Sequence, residues 1–102
     1  MFYKLDENKN AVRCTSEEWS KIIKDIDARR VCFTRLDKYE VSTVFLGLDH
    51  GYGFHGKPIL FETMVFGPAL EQYQTRCENY SEAIGMHTEA VEWVMNKIKN
   101  DE

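Results

Sequence analysis

The chain has 102 residues, a length that fits one domain with a single core, and we predict one domain spanning 1–102. Hydrophobic residues make up 43% and charged residues 29%, which is a globular balance rather than a disordered one. A net charge of −4 argues against direct nucleic-acid binding, which needs clustered Lys and Arg. No apolar run approaches the ~20 residues of a membrane helix, so no membrane partner is expected. Three widely spaced cysteines without a CxxC pair indicate reduced thiols in a cytosol.

The N-terminal third contains one clear helix signal. A short apolar patch at Phe2-Tyr3 precedes the polar segment DENKN, which is typical of a turn. Thr15 and Glu18 then fit a capping box, and an apolar stripe follows at helical spacing: Trp19, Ile22, Ile23 and Ile26. We predict helix 1 at about 16–27, with its stripe covering the sheet.

Four β-rich segments follow, at 30–36, 41–48, 59–66 and 70–78. In 41–48 both alternate sets of side chains are largely apolar, so both faces of this strand are expected to be covered. The runs 41–48 and 59–66 are predicted as the two central strands of the sheet.

The C-terminal segment predicts helix 2 at about 82–99, with Ser81 as its N-cap. Its apolar stripe consists of Ile84, His87, Val91, Val94 and Ile98. Short connections favour an antiparallel meander. The prediction is an α+β fold in the order β-α-β-β-β-β-α, an antiparallel sheet of about four strands with two helices packed on it.

The loop between the central strands combines glycines with aromatic and histidine side chains, which suits a contact surface. The candidate partner-binding or ligand-binding residues here are Asp49, His50, Tyr52, Phe54 and His55. Tyr52 and Phe54 could equally fold back onto the core. Asp49, His50 and His55 could ligate a metal, but their spacing matches no strong motif, so we predict no metal and no cofactor.

Two ionisable residues stand among apolar neighbours. Glu62 interrupts an apolar strand, and His87 is the one ionisable residue on the stripe of helix 2. Helix and sheet should face each other, so the two could meet as a buried pair resembling acid–base machinery. The simpler interpretations, which we favour, are a core histidine with satisfied hydrogen bonds and a glutamate on the open face of the sheet. Both residues remain candidate binding residues, and no residue is assigned as catalytic.

Three segments, VSTVFLGLDHGYG, PILFETMVFG and YSEAIGMHTEAVEWV, are similar to a family of small proteins encoded by tailed bacteriophages and prophages. The opening FYKLDENKNAVRC and the EEW of helix 1 extend the resemblance over most of the chain. The resemblance implies a phage gene product made in bacterial cytoplasm. It implies no catalytic residue.

These observations favour a non-enzymatic binding protein that occupies a host protein or sequesters a small-molecule ligand, with an anti-defence role as one form of that function. A small enzyme using Glu62, His87 and His50 is the alternative from another class. A homo-oligomeric structural module is the third, since two helices can leave one apolar face of the sheet uncovered.

Overall fold

The computed structural model describes residues 1–49, 57–68 and 73–100. Its elements, in chain order, are β1 (Phe2–Leu5), β2 (Ala11–Cys14), α1 (Ser16–Ile23), α2 (Ile26–Arg29), β3 (Arg30–Leu36), β4 (Tyr39–Phe45), β5 (Phe61–Phe66), β6 (Tyr73–Cys77) and α3 (Tyr80–Asn100). The predicted α+β class is confirmed.

The main sheet contains four antiparallel strands in the order β3-β4-β5-β6, which is the predicted meander with β4 and β5 at its centre. Alternate residues of β4 are buried, namely Tyr39, Val41, Thr43 and Phe45, while the residues between them are half-buried. Successive side chains of a strand point to opposite faces. Therefore one face of β4 lies in the core, and the prediction that both faces are covered is wrong for the described part of the chain.

α3 covers the buried face of the sheet and contacts all four of its strands. The helix buries Ala83, His87, Ala90 and Val94, which recur at the spacing of one helical face. Small alanines let the helix backbone approach the sheet closely. Phe45 and Phe61 pack with their ring centroids 5.3 Å apart beneath the start of α3, where Ala83 belongs to the same core cluster.

The predicted helix 1 is two helices that do not cover the sheet as expected. Thr15 and Glu18 form the predicted capping box at the start of α1. The helix then ends, because the Asp25 carboxylate accepts hydrogen bonds from the backbone N–H groups of Asp27 and Ala28 and so caps a new helix, α2. α1 packs mainly against β1 and α2. The amphipathic stripe correctly predicts a helix, but α1 does not pack mainly on the four-stranded sheet.

The N-terminal patch forms a two-stranded antiparallel hairpin, β1–β2, in which the second strand was not predicted. The hairpin is joined to the chain just after β4, where Tyr3 N–H donates to Gly47 O at 2.7 Å. Gly47 has φ +69°, and a Cβ there would lie 2.9 Å from the Trp19 ring. Trp19 Nε1 donates to Leu46 O at 3.3 Å, so hairpin, α1 and sheet meet at this turn. A glycine is therefore required at position 47.

Candidate functional site

The predicted binding residues do not form one site in the part of the chain that the structure describes. His50, Tyr52, Phe54 and His55 lie outside the described residues. Asp49 is half-buried, and its backbone N–H donates to Met1 O at 3.1 Å. The remaining two candidates, Glu62 and His87, lie on opposite faces of the main sheet, as their hydrogen bonds below show.

His87 is held in the core by threonine hydroxyls from two strands. Its Nδ1 lies 2.8 Å from Thr43 Oγ1 on β4, and its Nε2 lies 2.8 Å from Thr34 Oγ1 on β3. Thr43 Oγ1 lies a further 2.6 Å from Thr63 Oγ1, the directly opposite residue on β5. The side chain is 4% exposed, and both ring nitrogens have partners. The favoured interpretation, a satisfied core histidine, describes this geometry.

The His87 imidazole is kept neutral by its surroundings. Burial lowers the pKa of the His87 ring below its ordinary value, because the charged form loses its hydration. A neutral imidazole donates through one nitrogen and accepts through the other. Each threonine hydroxyl can also donate or accept. Hydrogen bonds can therefore link Thr34 to His87, His87 to Thr43 and Thr43 to Thr63 with either ring nitrogen protonated. The arrangement fixes where α3 docks on the sheet.

Glu62 belongs to a different network on the outer face of the sheet. Its Oε2 accepts a hydrogen bond from Arg76 Nε at 2.8 Å and another from Gln74 Nε2 at 2.6 Å. Both partners are on β6, and Arg76 is the residue directly opposite Glu62. Thr63, the next residue along β5, points into the core instead. The sheet therefore separates Glu62 from His87, and these two residues do not form a buried pair.

The outer surface of the main sheet, which we name the open face, is the surface that α3 does not cover. Strand register places its side chains in three rows across the sheet: Arg30, Val44, Glu62 and Arg76; Phe33, Ser42, Met64 and Gln74; and Arg35, Glu40 and Phe66. The short helix α2 flanks this surface, where its Ile26 and Arg29 line a groove. The prediction of a glutamate on an open sheet face is thus realised at Glu62.

The open face carries apolar side chains that remain in contact with solvent. Phe33 is 39% exposed, Phe66 is 50% exposed, and Ile26 of α2 is 49% exposed. A groove of about 320 Å³ runs between Ile26 and the central side chains Val44 and Met64. Contiguous exposed apolar side chains rimmed by polar ones mark interaction sites.

Charged side chains at the edges of the open face are already ordered within the chain. Arg35 Nη2 contacts Glu40 Oε2 at 2.6 Å, across β3 and β4. The Arg30 guanidinium lies 4.4 Å from the centroid of the Phe33 ring, which is cation–π geometry. An apolar centre with a polar, arginine-bearing rim is the usual anatomy of a protein–protein interface.

Sequence reasoning missed Phe33, Phe66 and Arg30 as candidates, although the sequence held a signal for them. The outward-facing side chains of β4 and β5 include Val44 and Met64. This set of side chains is more apolar than a solvated face requires. That excess is the observation from which the sequence predicts that both faces are covered. In the described part of the chain no second layer covers these side chains: Val44 and Met64 are half-buried, and Phe33 and Phe66 are exposed.

A second concavity lies between the β1–β2 turn and the start of α3. Its volume is about 590 Å³, and polar side chains line much of it: Asn8, Lys9, Asn10, Asn79 and Ser81. Asn79, rather than the predicted Ser81, caps α3, since its Oδ1 accepts from Glu82 N–H at 2.9 Å. The volume suits a small polar ligand.

The cysteines and acidic residues form no further centre among the residues described. Burial raises the pKa of the Cys77 thiol to about 11, which leaves it protonated and unreactive at neutral pH. Within the described ranges, no three His, Cys, Asp or Glu side chains come together as metal ligands would. None of the described helices is both long and apolar enough to cross a bilayer.

Comparisons of this chain with protein-family models, with curated proteins and with solved structures find no match.

Proposed function

We propose that this chain is a non-enzymatic binding protein that contacts a partner protein through the open face of its main sheet. The observation that carries the proposal is the exposure of Phe33 and Phe66 beside the half-buried Val44 and Met64. Burying such side chains against a partner removes apolar surface from water, which is the main favourable term in association.

The resemblance to tailed-phage proteins gives the proposal its setting. We propose a host protein in bacterial cytoplasm as the partner, with interference in an antiviral defence as one form of the function. Support for a binding role also comes from Glu62 and His87: Glu62 is paired with Arg76 and hydrogen-bonded by Gln74, and His87 is enclosed by the core.

The test is affinity capture from bacterial lysate with three baits. The first is the wild type, and the second carries Phe33→Ser and Phe66→Ser on the open face. The third is a matched control with Ile84→Ser and Met95→Ser on α3, which are 42% and 55% exposed. All four side chains are solvent-accessible, so both variants are expected to stay folded, which thermal melting will verify.

A partner retained by the wild type and the α3 control, and lost by the open-face variant, is the expected result. Retention of every partner by the open-face variant would refute the proposal. So would partners that are lost only with the α3 control.

A second candidate function is sequestration of a small polar ligand in the concavity between the β1–β2 turn and α3. Mass spectrometry of compounds released from the purified protein tests it. A bound compound whose retention falls in an Asn10→Leu variant, but not in the open-face variant, would support it. Protein that releases no compound would speak against it.

A further inference from the structure

We propose that the partner presents to the open face an amphipathic helix whose apolar stripe is flanked by acidic side chains. This inference rests on the proposed function and adds the chemistry of the partner. It follows from two features of the open face: the kind of charge at its edges, and the number of layers that the main sheet has.

Arginine is concentrated around the open face. Four of the chain's five arginines border it, Arg29, Arg30, Arg35 and Arg76, whereas no lysine occurs in β3–β6. Arginine is enriched in protein interfaces and lysine is depleted, because a planar guanidinium binds carboxylates with two hydrogen bonds and keeps less water. The acidic side chains on the strands there are Glu40 and Glu62, and Asp25 and Asp27 lie at α2. On the strands of this face three arginines thus stand beside two glutamates, in a chain whose net charge is −4.

The two glutamates of the open face are neutralised inside the chain, and part of the arginine charge is not. Arg35 pairs with Glu40, and Arg76 pairs with Glu62. Arg29 donates to the backbone oxygens of Phe45 and Ile23, which are uncharged partners.

The guanidinium of Arg30 is only weakly neutralised. Its Nη1 is 4.0 Å from Asp27 Oδ1, and the Asp27 side chain is 88% exposed. Because Arg29 and Arg30 both border the groove that holds Ile26 and Phe33, a carboxylate beside an apolar side chain fits this end of the open face.

Layer architecture favours a helix as the occupant. α3 covers one face of the sheet, and a helix on the other face would complete a three-layer arrangement around β4 and β5. A second copy of this chain, packed face to face, is the competing occupant. It would set the weakly paired Arg30 and the neighbouring Arg29 of one copy against a face whose strands hold more arginines than glutamates, which is unfavourable.

The test uses three synthetic peptides of about 18 residues, a length that spans several helical turns. The first has leucines at i, i+3, i+4 and i+7 with glutamates on the flanks. The second keeps the leucines and replaces the glutamates with lysines. The third has the composition of the first in an order that breaks the helical period. Binding is followed by backbone amide chemical shifts of the intact protein.

The acidic helical peptide should shift the amides of β3, β4 and β5 and bind about tenfold or more tightly than the lysine peptide at low salt. Arg30→Gln should weaken that binding, whereas Arg13→Gln, at the one arginine away from the open face, should not. Equal affinity for the acidic and lysine peptides would overturn the acidic assignment but leave the binding face standing. Equal affinity for the scrambled peptide would overturn the helix.

Two further outcomes also overturn the inference. One is the absence of peptide binding together with self-association that Phe33→Ser abolishes, which would make the second copy the occupant. The other is peptide binding that shifts only amides away from the open face. A wrong assignment of the partner's chemistry can be told apart from a wrong binding role, because the capture experiment from lysate tests the binding role separately.

Discussion

Acidification should destabilise this protein through His87. The ring is 4% exposed, and its hydrogen-bond partners are the uncharged hydroxyls of Thr34 and Thr43. Burial, with no charged neighbour contributing, lowers the pKa of the ring below its ordinary value of 6.5. A proton on His87 would thus be a buried charge without a carboxylate partner, and the folded state resists it.

The size of the effect follows from proton binding by the two states. Below about pH 6.5 the unfolded chain protonates this histidine, while the folded chain does not until the pH reaches the lower folded-state pKa. Between the two pKa values the unfolded state holds up to one more proton, so the free energy of unfolding falls by up to about 1.4 kcal/mol per pH unit. His87 contributes no pH dependence well above pH 6.5, and the loss levels off below the folded-state pKa.

The assay is urea unfolding of the wild type and a His87→Gln variant between about pH 8 and pH 5. Glutamine can donate and accept hydrogen bonds but does not titrate, so the difference between the two curves isolates His87 from every other group. The variant should be less stable by about 1–3 kcal/mol at pH 8, because at least one threonine hydroxyl loses its partner. That gap should narrow as the pH falls.

A gap that stays constant or widens on acidification would refute the reasoning. If the glutamine variant fails to fold, the imidazole resonances of wild-type His87 supply the same test. A measured pKa at or above 6.5 in the folded protein would contradict the structure.

Four substitutions test other parts of the fold by chemical or thermal unfolding. Thr75 Oγ1 is buried without a hydrogen-bond partner among the described residues, so Thr75→Val should be neutral or stabilise the protein by about 1 kcal/mol. Thr63→Val, which removes the hydrogen bond to Thr43, should destabilise it by a similar amount. A less stable Thr75→Val variant would contradict this. Gly47→Ala should cost at least about 1–2 kcal/mol, since φ is positive and the new Cβ meets Trp19; an unchanged melting temperature would refute it. Asn79→Ala should cost about 1 kcal/mol as a lost cap, and no change would show that another group caps α3.

Local patterns in the sequence carried most of the fold. The Thr15–Glu18 capping box and the β-rich runs that form β4 and β5 depend on residues close in the chain, and the structure confirms them. The helical period correctly predicts α3, but Ile84, which the prediction places on the buried stripe, is 42% exposed. The residues buried beside His87 are instead Ala83 and Ala90. Periodicity locates a helical face to within about a residue, while close packing decides which neighbour is buried.

Contacts between distant segments were the part that sequence reasoning could not supply. The strand predicted at 41–48 ends at Phe45, because Gly47 turns the chain and its carbonyl accepts from Tyr3, more than forty positions earlier. Likewise, His87 was located by its helix, but its partners come from β3 and β4 and depend on strand register. Nothing in the local sequence around Thr34 or Thr43 marks either residue as a histidine partner.

The two faces of the sheet bear differently on the proposed binding function and on the enzyme alternative. For His87 to reach a substrate, α3 would have to leave the sheet and expose Ala90 and Val94, which are fully buried. That would give up much of the hydrophobic core for access to one imidazole whose hydrogen bonds are already satisfied. The open face requires no such change, because Phe33 and Phe66 already contact solvent and the ion pairs around them are already formed. A surface ordered before its partner arrives loses less conformational entropy on binding, which favours association at this face.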